Sequence, residues 1–295
     1  MEQYIINKYK EYEKNEIQSG YRCKTFLLTN QKNKIIYQVY TGHTEYQARK
    51  KEYITNLIKS NINIDQIPEI LDCGRNEKFA YLVSEYKAGI ELEKISKDTF
   101  DYKKFYTDLS NILLKIHSIN VGNDFGWIGA SGVEKKDSFA NYIESEIKRN
   151  INRIQQVLGE EKNILEEIKS KAYEALEIIR KINSTKPVIC WYDINPNNIL
   201  VDQESNIVGF LDPGGARNAP KEWDLAFIKM DLCTNREEYD YFIKEYEIKN
   251  KINYELLKAL SIIVEIDDIA FQLETNTTLP LAFDTNFKKI FDIIR

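Results

Sequence analysis

The run Val188-Ile189-Cys190-Trp191-Tyr192-Asp193-Ile194-Asn195-Pro196-Asn197-Asn198-Ile199-Leu200-Val201 decides the reading of this chain. It continues through Gly209-Phe210-Leu211-Asp212-Pro213-Gly214-Gly215 to Glu222-Trp223-Asp224-Leu225. An apolar strand delivers Asp193 into a loop, and Asn198 follows just before a second apolar strand. The polar segment Asp202-Gln203-Glu204-Ser205-Asn206 reads as a turn, after which a third strand ends at Asp212. Pro196 stiffens the loop, and Gly214-Gly215 allow a sharp backbone turn. Surface aspartates are common singly. Two carboxylates and an amide at this spacing, each at the end of an apolar run, point to one shared site.

The pattern Asp-x-x-x-x-Asn, hairpin, Asp-x-Gly is that of a kinase catalytic loop followed by a metal-binding aspartate. The chain resembles the aminoglycoside phosphotransferase and choline kinase-like group of small-molecule kinases. Trp191-Tyr192-Asp193 stands where that group usually has His-Gly-Asp, and Asp224-Leu225-Ala226 matches its later Asp-Leu-Ala. The departure touches the support of the loop and leaves its reacting groups in place. The resemblance implies an α+β, two-lobed protein-kinase-like fold that transfers the γ-phosphoryl group of ATP. Asp193 would be the catalytic base, and Asn198 and Asp212 would hold Mg2+.

Composition agrees with a globular enzyme. Over 295 residues, 43% are hydrophobic and 29% charged, with a net charge of −5. That charge argues against a nucleic-acid partner. No apolar run reaches the length of a membrane span, and Met1–Lys8 lacks the apolar core of a signal peptide. Cys23, Cys73, Cys190 and Cys233 form no Cys-x-x-Cys pair, so zinc is not expected and the cytoplasm is. With two histidines, His43 and His117, a multi-histidine metal site is excluded.

The expected nucleotide-binding lobe covers 1–88, and the catalytic and substrate-binding lobe 89–295. Residues 4–16 read as a short helix. A hairpin follows, with its strands ending at Leu28 and Tyr40. The resemblance makes Ser19–Arg22 the tip over the phosphates. Gly20 there serves either as a phosphate contact or as an ordinary turn residue. Gln38 occupies the place of the usual phosphate-gripping lysine, on one strand face with Lys34, Ile36 and Tyr40. Lys24 or Arg22 is then the expected substitute cation. A helix over 45–60 places Glu52 where the family has the acidic partner of that lysine; the alternative is a solvated helix charge. Ser84, Glu85 and Tyr86 fall at the hinge that binds adenine through its backbone.

Helices are expected over 100–119, 139–158, 160–182, 221–232, 237–246, 254–273 and 284–294, with 121–136 as a loop. The resemblance makes His117 structural, and Asp224 a tie on the catalytic loop through backbone N–H groups. Glu265, Asp267 and Asp268 are the candidates for an acidic substrate wall. The acceptor expected first is a cationic aminoglycoside-type antibiotic, with choline, another amino alcohol or a metabolite as the alternative. A different class, opened by Gln38, is a kinase-fold protein that binds ATP or another nucleoside triphosphate without phosphorylating, or that transfers AMP.

Overall fold

A computed structural model describes residues 8–19, 23–96, 100–158, 162–182 and 185–275. Gly20, Arg22 and the helix expected over 284–294 lie outside the described residues. An antiparallel sheet of five strands opens the chain: β1 (Glu13–Ser19), β2 (Lys24–Thr29), β3 (Lys34–Tyr40), β4 (Ile70–Arg75) and β5 (Ala80–Glu85), in the order β1-β2-β3-β5-β4. Over 13–16 the first strand replaces the end of the helix expected over 4–16, of which residues 4–7 lie outside the described residues: Glu13–Ser19 pairs along β2, and cross-strand bonding overrides a weak local preference.

The two faces of β3 differ as strand alternation requires. Ile35, Tyr37 and Val39 are buried on one side with Phe26, Leu28, Phe79, Tyr81 and Val83. Tyr40 is buried on the other with Ala48, Ala80 and Leu82. Ala48 belongs to helix α1 (Tyr46–Asn61), which crosses this inner face. Further along α1, Ile54 and Ile58 join the large core of the second half of the chain. One helix therefore bridges the sheet and the helical body.

The chain leaves β5 and enters β6 (Ile90–Glu91), which pairs with β10 (Ile199–Val201). Gly89 is required here, because a Cβ would sit 2.6 Å from Val208 Cγ2. Helix α2 (Tyr102–Ile116) follows, with Asp101 capping it by accepting from the Lys104 amide. The segment expected as a loop over 121–136 instead holds β7 (Gly126–Gly129) and β8 (Gly132–Val133). Its strands are short and glycine-rich, and β7 is held by pairing with β12 (Arg217–Ala219). Helices α3 (Phe139–Leu158) and α4 (Lys162–Lys181) then pack on each other.

Strand β9 (Val188–Cys190) leads into the loop of Asp193, and β10 pairs antiparallel with β11 (Ile207–Phe210). The turn between them is built by Asp202, whose Oδ1 accepts from the amides of Glu204 and Asn206 at 2.9 Å each. Helices α5 (Glu222–Asp231), α6 (Arg236–Glu247) and α7 (Tyr254–Thr275) complete the described body. No helix among the described residues is long and apolar enough to cross a membrane.

Candidate active site

Asp193 sits in a loop held from below by a buried carboxylate. Asp224, fully buried in α5, accepts from the Trp191 amide at 2.7 Å and the Tyr192 amide at 2.8 Å. His117 Nε2 lies 3.0 Å from the same carboxylate, and its Nδ1 lies 2.6 Å from the Tyr246 hydroxyl. His117 is thus a structural bridge and Asp224 a tie on the loop, as the resemblance implies. In the buried grouping of His117, Cys190 and Asp224, these bonds engage His117 and Asp224, while Cys190 Sγ donates to the Ala219 and Pro220 carbonyls at 3.4 and 3.3 Å.

Trp191 and Tyr192, which stand where the family usually has His-Gly, both anchor the loop by contacts of their own. The Trp191 indole donates to the Leu211 carbonyl at 3.2 Å and packs 4.4 Å from the Phe210 ring. It couples the catalytic loop to the strand that ends at Asp212. Tyr192 has φ of 75°, a left-handed conformation that suits glycine. Its hydroxyl donates to Asp267 Oδ2, and its ring covers the Arg217 guanidinium at 3.6 Å.

The candidate metal ligands converge. The Asn198 amide donates through Nδ2 to the Asp193 carbonyl at 3.1 Å, which leaves Oδ1 as the atom for a cation. The Leu211 amide donates to the Asn198 carbonyl at 2.8 Å, fixing the approach of the Asp212 segment. Asp212 is also left-handed, with φ of 56°, and its Oδ1 accepts from the Gly214 amide at 3.0 Å. Asp193 Oδ1 accepts from Asn195 Nδ2 at 2.6 Å. Neither Gly214 nor Gly215 has a positive φ. These glycines serve close approach, not a strained turn: a Cβ on Gly215 would lie 2.9 Å from the Tyr192 ring and 3.4 Å from Asp193 Cβ. The turn after Asp212 is pressed against the catalytic loop.

The strand that carries Gln38 faces a lysine of helix α1. Gln38 does face inward, but its Oε1 accepts from the Tyr40 hydroxyl at 3.0 Å and its amide reaches Cys23 Sγ at 3.7 Å. Lys24 is no substitute: it stands opposite Val39 and shares that residue's face, away from Gln38. Among the described residues, Lys51 of α1 brings a cation here: its Nζ lies 2.8 Å from Asp212 Oδ2 and 5.4 Å from the centre of the Tyr40 ring. Burial alone would lower the Lys51 pKa, but the Asp212 carboxylate holds it above the ordinary lysine value.

Glu52 turns away from this position. It pairs with Arg49 at 2.7 Å on its own helix, beside Cys73, and the expected partnership with Gln38 is not formed among the described residues. At the hinge, Ser84 pairs with Ile36 and Ile70 across the sheet. The Glu85 amide donates to the Glu69 carbonyl at 2.9 Å and its carboxylate pairs with Lys87 at 2.8 Å. Lys34 Nζ lies 5.5 Å from the Tyr86 ring.

The three acidic residues of α7 do not form one wall. Glu265 is buried in the core beside Lys229, and Asp268 accepts from Gln272 at 2.6 Å. Asp267 accepts from the Tyr192 hydroxyl of the loop that carries Asp193, and pairs with Arg149 at 3.1 Å and Arg153 at 3.4 Å, both on α3. Burial pushes its carboxyl up, against the pull of those arginines. Above it, Trp127 of β7 has Arg217 at 3.9 Å, Lys50 at 4.7 Å and Arg149 at 5.5 Å from its ring centre. The surroundings of Tyr192 are therefore aromatic and rich in paired charge. Sequence reasoning missed Lys51, Trp127 and Arg217. The alternation Phe125, Trp127 against Gly126, Ile128 offered a weak strand signal; the lysine pair Lys50-Lys51 offered none, since lysines on helices are mostly solvated.

A model of the phosphotransferase enzyme family matches residues 15–260 of the chain. No curated protein matches its sequence. Among solved structures, a thermostable mutant of aminoglycoside phosphotransferase APH(4)-Ia, in a ternary complex with AMP-PNP and hygromycin B, gives a TM-score of 0.76 at 14% identity, covering 99% of this chain and 95% of that one. A protein described as a fructosamine-3-kinase from Haemophilus somnus 129PT gives 0.71 at 14% identity, covering 99% and 96%. ADP-bound aminoglycoside phosphotransferase APH(2'')-Ib gives 0.63 at 15% identity, covering 100% and 96%. At these identities the likeness establishes the two-lobed kinase-like fold.

Proposed function

The chain belongs to the phosphotransferase enzyme family, acting on an alcohol group as acceptor, and on that premise we propose that it uses ATP and Mg2+ to phosphorylate a hydroxyl of a small molecule. The observation that carries this reading is the backbone bond from the Leu211 amide to the Asn198 carbonyl, which sets the segment of Asp212 beside the loop that carries Asp193 and Asn198. Asp193 orients the acceptor hydroxyl and takes its proton. Asn198 Oδ1 and the Asp212 carboxylate make an all-oxygen donor pair, which fits a hard divalent cation. Magnesium bound there would neutralise charge on the phosphates. Ser84, Glu85 and Tyr86 receive the base at the hinge. The lobe boundary is placed between 88 and 89. Catalysis then rests on positioning and charge neutralisation.

For the acceptor, an aminoglycoside-type antibiotic is the first candidate, from the family. One observation favours a second reading, an amino alcohol or other hydroxyl metabolite. Among the described residues, the α7 carboxylates do not assemble an acidic wall for a polycationic aminocyclitol, since Asp267 is already paired with Arg149 and Arg153. The test is incubation of the protein with ATP and Mg2+ against aminoglycosides, macrolides, amino alcohols and sugar derivatives, with products weighed by mass spectrometry. A phosphorylated product identifies the acceptor. Absence of both nucleotide binding and product across the panel refutes the reading.

A further inference from the structure

We propose that Lys51, from the helix instead of the strand, is the cation that grips the nucleotide phosphates in this chain. The proposal rests on the kinase reading above and adds a residue that the family pattern does not supply. Lysine is rarely buried without a task, because desolvating the ammonium group is unfavourable. Lys51 is 6% exposed, yet it sits in the cleft between the inner sheet face and the Asp212 turn. Its Nζ stands over Tyr40, a residue two positions from Gln38 on the same strand face. The positive charge that Gln38 lacks is therefore restored beside the same face, from the element that would ordinarily carry its acidic partner.

Two further features fit a site built around phosphate and a hydrated cation. Gly214 admits the lysine: a Cβ there would meet Lys51 Cε at 3.1 Å and Asp212 Oδ1 at 2.8 Å. One helical turn before Lys51, Gln47 is 4% exposed, and its Oε1 is buried with no hydrogen-bond partner. That oxygen would lie 3.4 Å from the same Gly214 Cβ, so it is aimed at the Asp212 turn. A water on a bound cation would satisfy it. Lys51 Nζ is within one ligand length of Asp212 Oδ2, so phosphate oxygens held at Asp212 fall within its reach. Neighbouring Lys50 is directed elsewhere, over Trp127.

The experiment compares the affinities of ATP–Mg2+ and adenosine by titration calorimetry, with melting temperature as a fold control. Lys51→Met should weaken ATP by roughly ten- to a hundred-fold, the worth of a charged hydrogen bond, and leave adenosine binding unchanged. Lys51→Arg should retain most ATP affinity. Adding Gln38→Lys to Lys51→Met should recover part of the loss by returning a charge to the strand. Where Lys51→Met does not fold, Lys51→Gln gives the same ratio. A folded Lys51 variant with an unchanged ratio of ATP to adenosine affinity overturns the proposal, and so does an equal loss of both ligands. Wild-type protein that fails to bind ATP–Mg2+ refutes the kinase reading itself.

Discussion

Tyr192 should reverse the usual ranking of alanine and glycine. Replacing it by either residue removes the same contacts: the ring on Arg217 at 3.6 Å, the ring 4.7 Å from Phe227 and the hydroxyl bond to Asp267. Loss of a buried aromatic side chain costs about 3–5 kcal/mol in both variants. They differ in the backbone. At φ of 75° a Cβ is strained, by about 1–2 kcal/mol for a single left-handed residue. Glycine avoids that strain but loses about 0.4–1 kcal/mol through the entropy of the unfolded chain. Tyr192→Gly should therefore be more stable than Tyr192→Ala by about 0.5–1 kcal/mol. At an unstrained position alanine would lead. Urea midpoints and melting temperatures decide the point, the latter with an expected gap of about 1–4 °C. An alanine variant as stable as the glycine variant, or more so, would refute the idea that the loop stores strain at Tyr192.

Asp193→Ala should lower phosphoryl transfer by about 10²–10⁴-fold while ATP affinity, read by calorimetry, holds. Full turnover would remove Asp193 from the role of base. Asp212→Asn should weaken Mg2+-dependent nucleotide binding, and it should also lower the melting temperature, because the buried Lys51 ammonium loses the carboxylate 2.8 Å away. Breaking a fully buried pair costs about 3–5 kcal/mol; with the Asp212 side chain 38% exposed, the loss should fall below that range. Equal nucleotide affinity at limiting and saturating Mg2+ would exclude Asp212 as a ligand. At the sheet edge, burial alone would raise the Asp72 carboxyl, but hydrogen bonds from Lys8 and Tyr9 hold it below the usual carboxylate range. Its contribution is present above the unfolded value of about 3.9 and is lost as pH falls through the lower folded value. Asp72→Asn should flatten the acid limb of melting temperature against pH, and an unchanged limb would show that the pair does not stabilise the fold.

The loop of Asp193 and Asn198 and the hairpin that follows it were legible in the sequence because their information is local. Asp193, Asn198 and Asp212 stand at the ends of short apolar strands, and strand alternation with turn chemistry between 202 and 206 nearly determines their placement. The same holds for the inward face of Gln38 and for most helices. What depended on pairing between distant segments was not legible. Strand β1 exists through its bonds to β2, and β7 through its bonds to β12, so neither had a local signal strong enough to oppose a helix or a loop. Helix phase was the other hidden quantity. Adjacent helical positions differ by about 100°, so the choice between Lys51 and Glu52 as the residue facing the cleft is set by how α1 rolls onto the inner sheet face and the Gly214 turn. The α7 carboxylates obey the same rule: Glu265 and Asp267 point to different sides of one helix, and only its packing against α3 put Asp267 between Arg149 and Arg153. The sequence by itself determined which groups could do the chemistry and in what order they come. Tertiary packing decided which cation meets the candidate metal ligand Asp212, because that contact joins residues 161 positions apart, and no local pattern records the angle at which two elements meet.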